Sequence, residues 1–409
     1  MVALERVVVI GGGLAGAKTA EALRDQGFGG HVTILAAERR LPYERPPLSK
    51  SYLMGDSPFE DALVHTATWY RDHDVEVCLG VRATSFDRSA HTVTADDGST
   101  HRYDKLVLAT GSLVRRLPLP GADAEGALYL RSVEDSDAIR AHFGEGKRIV
   151  LIGGGWIGLE VAAAARSAGS DVTILEAGEL PLLGVLGPRI APVFADLHTS
   201  KGVDLRLKAK VVEVTTMRGR VGGVRLHDGE VVAADAVVIG VGVTPDVALA
   251  EQAGLAVDNG VLVDGTLRTS DPDVYAVGDI AHHDHPVLGR RVRVEHWATA
   301  LNQPAAAVAA LLGGSEPYRE LPYFFSDQYD LGMEYIGHVP RGTDSTVVIR
   351  GDLAQREFVS FWLDGENHVL AAMNVNVWDV VDQVKPLIME RRVVDPDRLA
   401  DPDVPWGEL

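Results

Sequence analysis

RIVLIGGGWIGLEVAAAARSAGSDVTILE, residues 148–176, is the stretch that decides the fold. Arg148 to Ile152 reads as a strand, apolar at consecutive positions from Ile149, as a parallel strand covered on both faces requires. Gly153 to Gly158 then supplies a small-residue turn, Leu159 to Ala168 a helical pattern, and Asp171 to Leu175 a second strand. Gly153, Gly155 and Gly158 stand in the GxGxxG spacing. Between a strand and a helix that spacing makes a tight turn, lets the backbone approach a pyrophosphate and places the phosphates at the helix N-terminus. Glu176 closes the second strand where an acidic residue binds a ribose.

The same order of elements opens the chain: Val7 to Ile10 as strand, Gly11 to Gly16 as turn, a helix through Leu23, and Val32 to Leu35 as strand. Gly11, Gly13 and Gly16 repeat the glycine spacing. The ribose-binding acid is best matched here by Glu38, with Ala37 directly before it. Two such folds need two dinucleotides, and a common pairing is one bound flavin with one exchangeable nicotinamide cofactor.

Tyr103 to Gly111 (YDKLVLATG) and Asp235 to Gly242 (DAVVIGVG) are alike, each a hydrophobic strand ending in a small-residue turn, and each is expected to close one nucleotide domain. LPLPG at 117–121 and TPD at 244–246 read as domain crossings. DPDVYAVGDIA, from Asp271, is too short to be a domain and is expected to rejoin the first one. From about Leu321 short strands rich in aromatic and β-branched residues (TVVIR, FVSFWL, HVLAAMNV) precede a helical pattern over 377–389. The tail from Arg392, with Asp395, Asp397, Asp401 and Asp403, reads as a solvated surface segment. The expectation is an α/β protein with two Rossmann-like dinucleotide-binding domains and a small C-terminal α+β domain. The boundaries are 1–112 and 246–320 for the first, 113–245 for the second and 321–409 for the third.

The composition excludes several classes of function. A net charge of -19 disfavours nucleic acid and anionic membrane, which need a concentrated basic surface. The opening MVALERVVVI enters a strand pattern at once, and no run approaches the ~20 apolar residues of a membrane span, so a cytoplasmic protein is expected. The single cysteine, Cys78, cannot form an intramolecular disulfide and reads as a half-buried small hydrophobe. His282, His283 and His285 form an HHDH run without a further matched ligand set, and a surface loop is the better reading.

Seven segments, in order, carry a family likeness over essentially the whole chain: GGGLAG, LPYERPPLSK from Leu41, LATG before Ser112, GGGWIGLE, TSDPDVYAVGDIA, VEHW ending at Trp297, and FFSDQYD from Phe324. The sequence resembles the FAD-dependent ferredoxin reductases that serve cytochrome P450 and aromatic-ring dioxygenase systems. The resemblance implies a fold of the glutathione reductase class, with an NAD domain inserted into an FAD domain. It implies that Arg45, Pro46 and Lys50 approach the FAD, Lys50 near the flavin N5, where positive charge stabilises the reduced, anionic ring. Asp279 should bind the ribityl chain and the backbone around Trp297 the pyrimidine edge. Ala15, Ala83, Arg131, Thr110 and Gly111 match further FAD positions, Ala83 through its backbone. Ile157 and Glu160 should lie beside the nicotinamide, with Glu160 accepting from its carboxamide and pairing with Lys50, and Gly242 belongs to the NAD set. Many relatives have an acid where this chain has Ala37, so ribose binding shifts to Glu38 or to the backbone.

The function so implied is transfer of electrons from NADH through FAD to a [2Fe–2S] ferredoxin. Peroxidases and disulfide reductases of the same class need a reactive cysteine near the flavin, and residues 39–54 contain none. A reductase of another acceptor, rubredoxin or monodehydroascorbate, stays open, as does an NADH-responsive binding module. Arg290, Arg291 and Arg293 are candidate contacts for an acidic ferredoxin, or simply a solvated hairpin.

Overall fold

The computed structural model describes residues 4–340 and 342–409, so the first three residues of MVALERVVVI lie outside the described residues. The chain divides into two compact units, one of Met1–Glu44, Phe59–Leu113 and Thr244–Phe324, the other of Arg45–Pro58, Val114–Val243 and Phe325–Leu409.

In the first unit the parallel sheet runs in the order Val274–Ala276, Lys105–Leu108, Arg6–Ile10, His31–Ala36, Val75–Leu79. Val9 pairs with Ile34 on one side and Val107 on the other, and all three are buried, as the unbroken apolar runs demand. VYA of the DPDVYAVGDIA segment is the strand that rejoins this sheet, beside Lys105–Leu108. Helix Leu14–Asp25 packs against helix Trp297–Leu311. Both are rich in alanine, whose small side chains allow the close approach.

The second unit repeats the design with Asp204–Arg206, Asp171–Leu175, Arg148–Ile152, Ala236–Ile239 and Ala127–Leu128, again parallel. Its C-terminal segment forms a five-stranded sheet ordered Tyr323–Gln328, Leu331–Gly337, Val369–Val375, Glu357–Leu363, Thr346–Asp352. Its last four strands pair antiparallel. No helix among the described residues is long and apolar enough to cross a membrane.

Three readings change and a fourth is refined. The second glycine helix begins at Trp156, not Leu159, because the last glycine of the motif is itself helical. The C-terminal helix is Val381–Met389, and its start is delayed because Asn376 and Asp379 take positive φ. The histidine run is a strand, Ala281–His285, not a loop. His283 and His285 are buried beside Tyr318, and burial pushes the His283 ring down to about 4, so it is neutral. The tail is a surface segment with its four aspartates exposed, as expected, but it is also anchored: Val394 and Leu399 are buried, and the Asp395 carboxylate caps helix Pro396–Ala400. Arg350, itself buried, donates to the carbonyls of Asp401 (2.6 Å), Pro402 (3.0 Å) and Val404 (2.7 Å) and lies over the Trp406 ring.

Arg350 is therefore the clasp of the C-terminus. Arg350→Ala removes three charge-assisted hydrogen bonds and should cost about 2–3 kcal/mol. Limited proteolysis followed by intact mass should detect trimming after residue 400 in the variant alone. A tail equally protected in both proteins would contradict the role.

Candidate functional site

Each glycine turn is dictated by backbone crowding. A Cβ at Gly11, where φ is +128°, would stand 2.1 Å from the Ala109 carbonyl oxygen, and one at Gly16 would stand 2.0 Å from that of Gly11. In the second turn Gly153, at φ +106°, would meet the Gly240 oxygen at 2.4 Å, and Gly158 the Gly153 oxygen at 2.2 Å. Gly13 and Gly155 differ: among the described residues nothing lies within 4 Å of the position their Cβ would take. Each is the N-cap of its helix, without a side-chain cap or an acidic residue in the first turn. The first N–H groups of both helices thus stand behind open space, a cradle that fits the pyrophosphate of a dinucleotide.

The acid behind each turn is held differently. Glu176 accepts from the Gly154 N–H through Oε2 and from the Gly178 N–H through Oε1, both at 2.6 Å. Its negative charge is fixed at the end of strand Asp171–Leu175, with lone pairs left for ribose hydroxyls. Glu38 accepts from the Tyr43 hydroxyl, while its carbonyl accepts from the Gly80 N–H at 2.9 Å. Ala37 is exposed.

A buried polar cluster lies in the second unit around Glu160. This residue sits in the second turn of helix Trp156–Ser167, and its side chain is 3% exposed. Lys50 reaches its Oε2 at 2.9 Å from the junction between the short helices Pro46–Ser49 and Ser51–Met54. The Ser49 hydroxyl donates to the same oxygen at 2.5 Å, and the Ser326 hydroxyl donates to Oε1 at 2.7 Å. The Lys50 ammonium also lies 5.4 Å from the centre of the Phe325 ring, within range of cation–π attraction. Burial pushes the neighbouring Asp327 carboxyl up, opposed by the charge of Lys50 and reinforced by that of Glu160. Pro46 starts the helical turn that presents Lys50, its fixed φ suiting a first helical position. The expected Lys50–Glu160 pairing is present in the structure.

The other expected residues are placed as follows. In the first unit, Thr110 donates to the Asp246 carbonyl at 2.6 Å, and Gly111 accepts from the Asp246 N–H at 2.9 Å. The Asp279 carboxylate accepts from Ser112 at 3.0 Å, and the Trp297 indole donates to Glu44 at 3.1 Å. Ala15 is buried, packed under Gly278, and Ala83 is buried in strand Ala83–Asp87. In the second unit, Arg45 donates to the Arg131 carbonyl, and Gly242, at φ +99°, accepts from the Arg115 N–H at 2.9 Å. Ile157 is 46% exposed, an apolar side chain left open beside the glycine turn. Sequence reasoning passed over Ser49, Ser326 and Glu44, although all three lie inside motifs it singled out.

Residues 5–304 match the family described as Pyridine nucleotide-disulphide oxidoreductase, and residues 323–409 match Reductase C-terminal. The chain is 42% identical over 398 residues to the ferredoxin–NAD(+) reductase component of the anthranilate 1,2-dioxygenase system of Burkholderia cepacia, covering 97% of both proteins. Among solved structures it resembles the ferredoxin reductase for the CYP199A2 system from Rhodopseudomonas palustris. That likeness has a TM-score of 0.94 at 34% identity, over 98% of this chain and 99% of that one. It also resembles the covalent putidaredoxin reductase–putidaredoxin complex, with a TM-score of 0.95 at 37% identity, over 99% and 97%.

A buried ion pair is worth less than the cost of leaving one member alone. Lys50→Met and Glu160→Gln should each destabilise by about 3 kcal/mol, because each strands a charge or its hydrogen-bond partners. The double variant should cost at least about 1 kcal/mol less than the sum of the singles. Urea unfolding of the four proteins measures the coupling, and strictly additive losses would mean that the pair does not act as one.

Proposed function

The chain belongs to the pyridine nucleotide-disulphide oxidoreductase family, and we propose that it is the reductase that carries electrons from NADH to a [2Fe–2S] ferredoxin serving a P450 or ring-hydroxylating oxygenase. FAD and NADH are its cofactors. The observation that carries the reading is the buried Lys50–Glu160 pair beside the second glycine turn of a chain with one cysteine. Thiol chemistry has no group to use: Cys78 is half-buried in strand Val75–Leu79, where burial pushes its thiol up and away from the reactive thiolate. A cytoplasmic location fits this reading.

Bound FAD would supply an acceptor for a hydride from NADH and a donor of single electrons to a one-electron acceptor. The residues of this chain bind, aim and balance charge. The N-terminus of helix Leu14–Asp25 receives the FAD pyrophosphate, with Glu38 or nearby backbone for its ribose. Asp279, steadied by Ser112, takes the ribityl hydroxyls, and the backbone at Trp297 takes the pyrimidine edge. The N-terminus of helix Trp156–Ser167 receives the NADH pyrophosphate, and Ile157 offers an apolar wall to the nicotinamide. Glu160 accepts from the carboxamide. Lys50 places fixed positive charge where negative charge develops, which lowers the barrier without any rearrangement at the moment of transfer. Glu160 keeps that charge from straying. Of the arginines expected to meet ferredoxin, Arg291 donates to the Val263 carbonyl and Arg293 to the Asp279 carbonyl, so their first role is internal.

Lys50→Met should leave FAD bound but slow its reduction by NADH at least tenfold, the equivalent of about 1.4 kcal/mol on the barrier. Stopped-flow absorbance of the flavin measures the rate, and an unchanged rate would remove Lys50 from the mechanism.

Glu176 sets the choice of NADH over NADPH. A 2′-phosphate would bring negative charge to a carboxylate that two backbone N–H groups hold still. Two unit charges about 4 Å apart repel by roughly 4 kcal/mol at an effective dielectric near 20. Efficiency with NADH should therefore exceed that with NADPH at least about tenfold, or ~1.4 kcal/mol. Glu176→Ala combined with Gly178→Arg should narrow the gap. Both changes are needed, because a Cβ at position 178 would lie 3.0 Å from the Glu176 Oε1. Ferricyanide reduction with each cofactor gives the ratio, and equal efficiency in the unmodified protein would overturn the assignment.

A further inference from the structure

The Glu160 carboxylate ends a chain of hydrogen bonds that the proposed function does not use. Behind Ser326, the Gln328 amide nitrogen donates to the Ser326 oxygen at 3.2 Å, and the Gln328 amide oxygen faces His198 Nε2 at 2.9 Å. The Tyr329 hydroxyl faces His198 Nδ1 at 3.5 Å. Glu160, His198, Ser326 and Gln328 are all buried. Burial pushes the His198 ring down to about 4, so the imidazole is neutral and carries one proton.

That proton has one consistent place. Glu160 is acceptor-only, so the single Ser326 proton goes to it, and the Ser326 oxygen is left to accept from the Gln328 NH₂. The Gln328 oxygen must then accept, which puts the imidazole proton on Nε2 and leaves Nδ1 to accept from Tyr329. Every donor in the chain points toward Glu160.

A carboxylate offers about four lone-pair directions. Lys50 and Ser49 take the two on Oε2, and Ser326 takes one of those on Oε1. One acceptor direction remains, on Oε1, and Ser326 determines where it points. We propose that Ser326, backed by Gln328 and His198, is a positioning residue that aims the last free lone pair of Glu160 at the carboxamide N–H of the nicotinamide. Selection of the carboxamide is thereby built partly by the C-terminal segment, through strand Tyr323–Gln328. Without the Ser326 hydroxyl, Oε1 has two open directions and the carboxylate can turn on its axis toward Lys50. This inference rests on the assignment of Glu160 to the nicotinamide.

The test compares NADH with reduced 3-acetylpyridine adenine dinucleotide, which has a methyl ketone in place of the amide and cannot donate. The rate of flavin reduction by each is measured in the FAD-loaded wild type, Ser326→Ala, Ser326→Thr and Glu160→Leu proteins. Taking the ratio between variants cancels the difference in potential between the two reductants. Ser326→Ala should reduce the preference for NADH at least threefold with FAD content unchanged, and Ser326→Thr, which keeps the hydroxyl, should restore most of it. If Glu160→Leu, which has no acceptor, collapses the preference while Ser326→Ala leaves it intact, the positioning role is overturned. If Glu160→Leu also leaves the preference intact, the nicotinamide assignment of Glu160 falls, and this inference with it. A Ser326→Ala protein that loses FAD would be judged on Ser326→Thr and Gln328→Leu, the latter expected to lower the preference while Ser326 stays in place, and an unchanged preference in Gln328→Leu would again count against the role.

Discussion

Burying the Lys50 ammonium against the Glu160 carboxylate is the constraint on which the second unit depends. Removing both charges from water costs several kcal/mol per ion unless geometry and further hydrogen bonds compensate. The compensation is visible in the Ser49 and Ser326 hydroxyls and in the Phe325 ring. These partners come from residues 45–58, from helix Trp156–Ser167 and from the segment that begins at 325. Three stretches far apart in sequence must therefore meet, and the second compact unit unites those same stretches.

The two glycine turns solve one stereochemical problem twice, and their surroundings show where the copies part. Opposite Gly12 stands the Ala36 side chain, whereas opposite Gly154 stand Pro181 and the Glu176 carboxylate, 2.9 Å from where a Cβ would be. Gly154, a fourth glycine beside the three of the motif, thus makes room for the acid itself. Glu176 is locked by two backbone N–H groups, while Glu38 is steadied by a tyrosine hydroxyl. A rigid acid suits a cofactor that must be told apart from its phosphorylated analogue at every turnover. A cofactor held permanently needs no such discrimination.

Much of this was legible in the sequence because its signals are local. The apolar runs at 7–10 and 149–152 are strands because both faces are covered, and the first and last glycines of each motif stand where a Cβ would strike a carbonyl. Lys50 and Glu160 were named as a pair only through the family likeness, since nothing in their spacing of 110 positions brings them together. Ser326 and Ser49 were missed because a serine in a motif looks the same whether its hydroxyl meets solvent or a buried carboxylate. His198 left no trace at all, lying on helix Leu183–Ser200, outside every motif in the sequence. The aspartates of the tail are exposed as their composition suggests, but the contacts that anchor it are its carbonyls, which composition does not report. The histidine run failed for a related reason: alternation of inward and outward positions is hard to see in HHDH when three of four side chains are alike.

The central claim is that one carboxylate chooses the cofactor and another aims it, both in the second unit. A crystal structure of the FAD-loaded protein with NAD(+) tests this most directly. The account predicts adenosine ribose hydroxyls within hydrogen-bond distance of Glu176, the pyrophosphate at Gly155 and the carboxamide nitrogen on Glu160 Oε1. A nicotinamide ring bound away from Glu160, or a ribose that leaves Glu176 untouched, would contradict it.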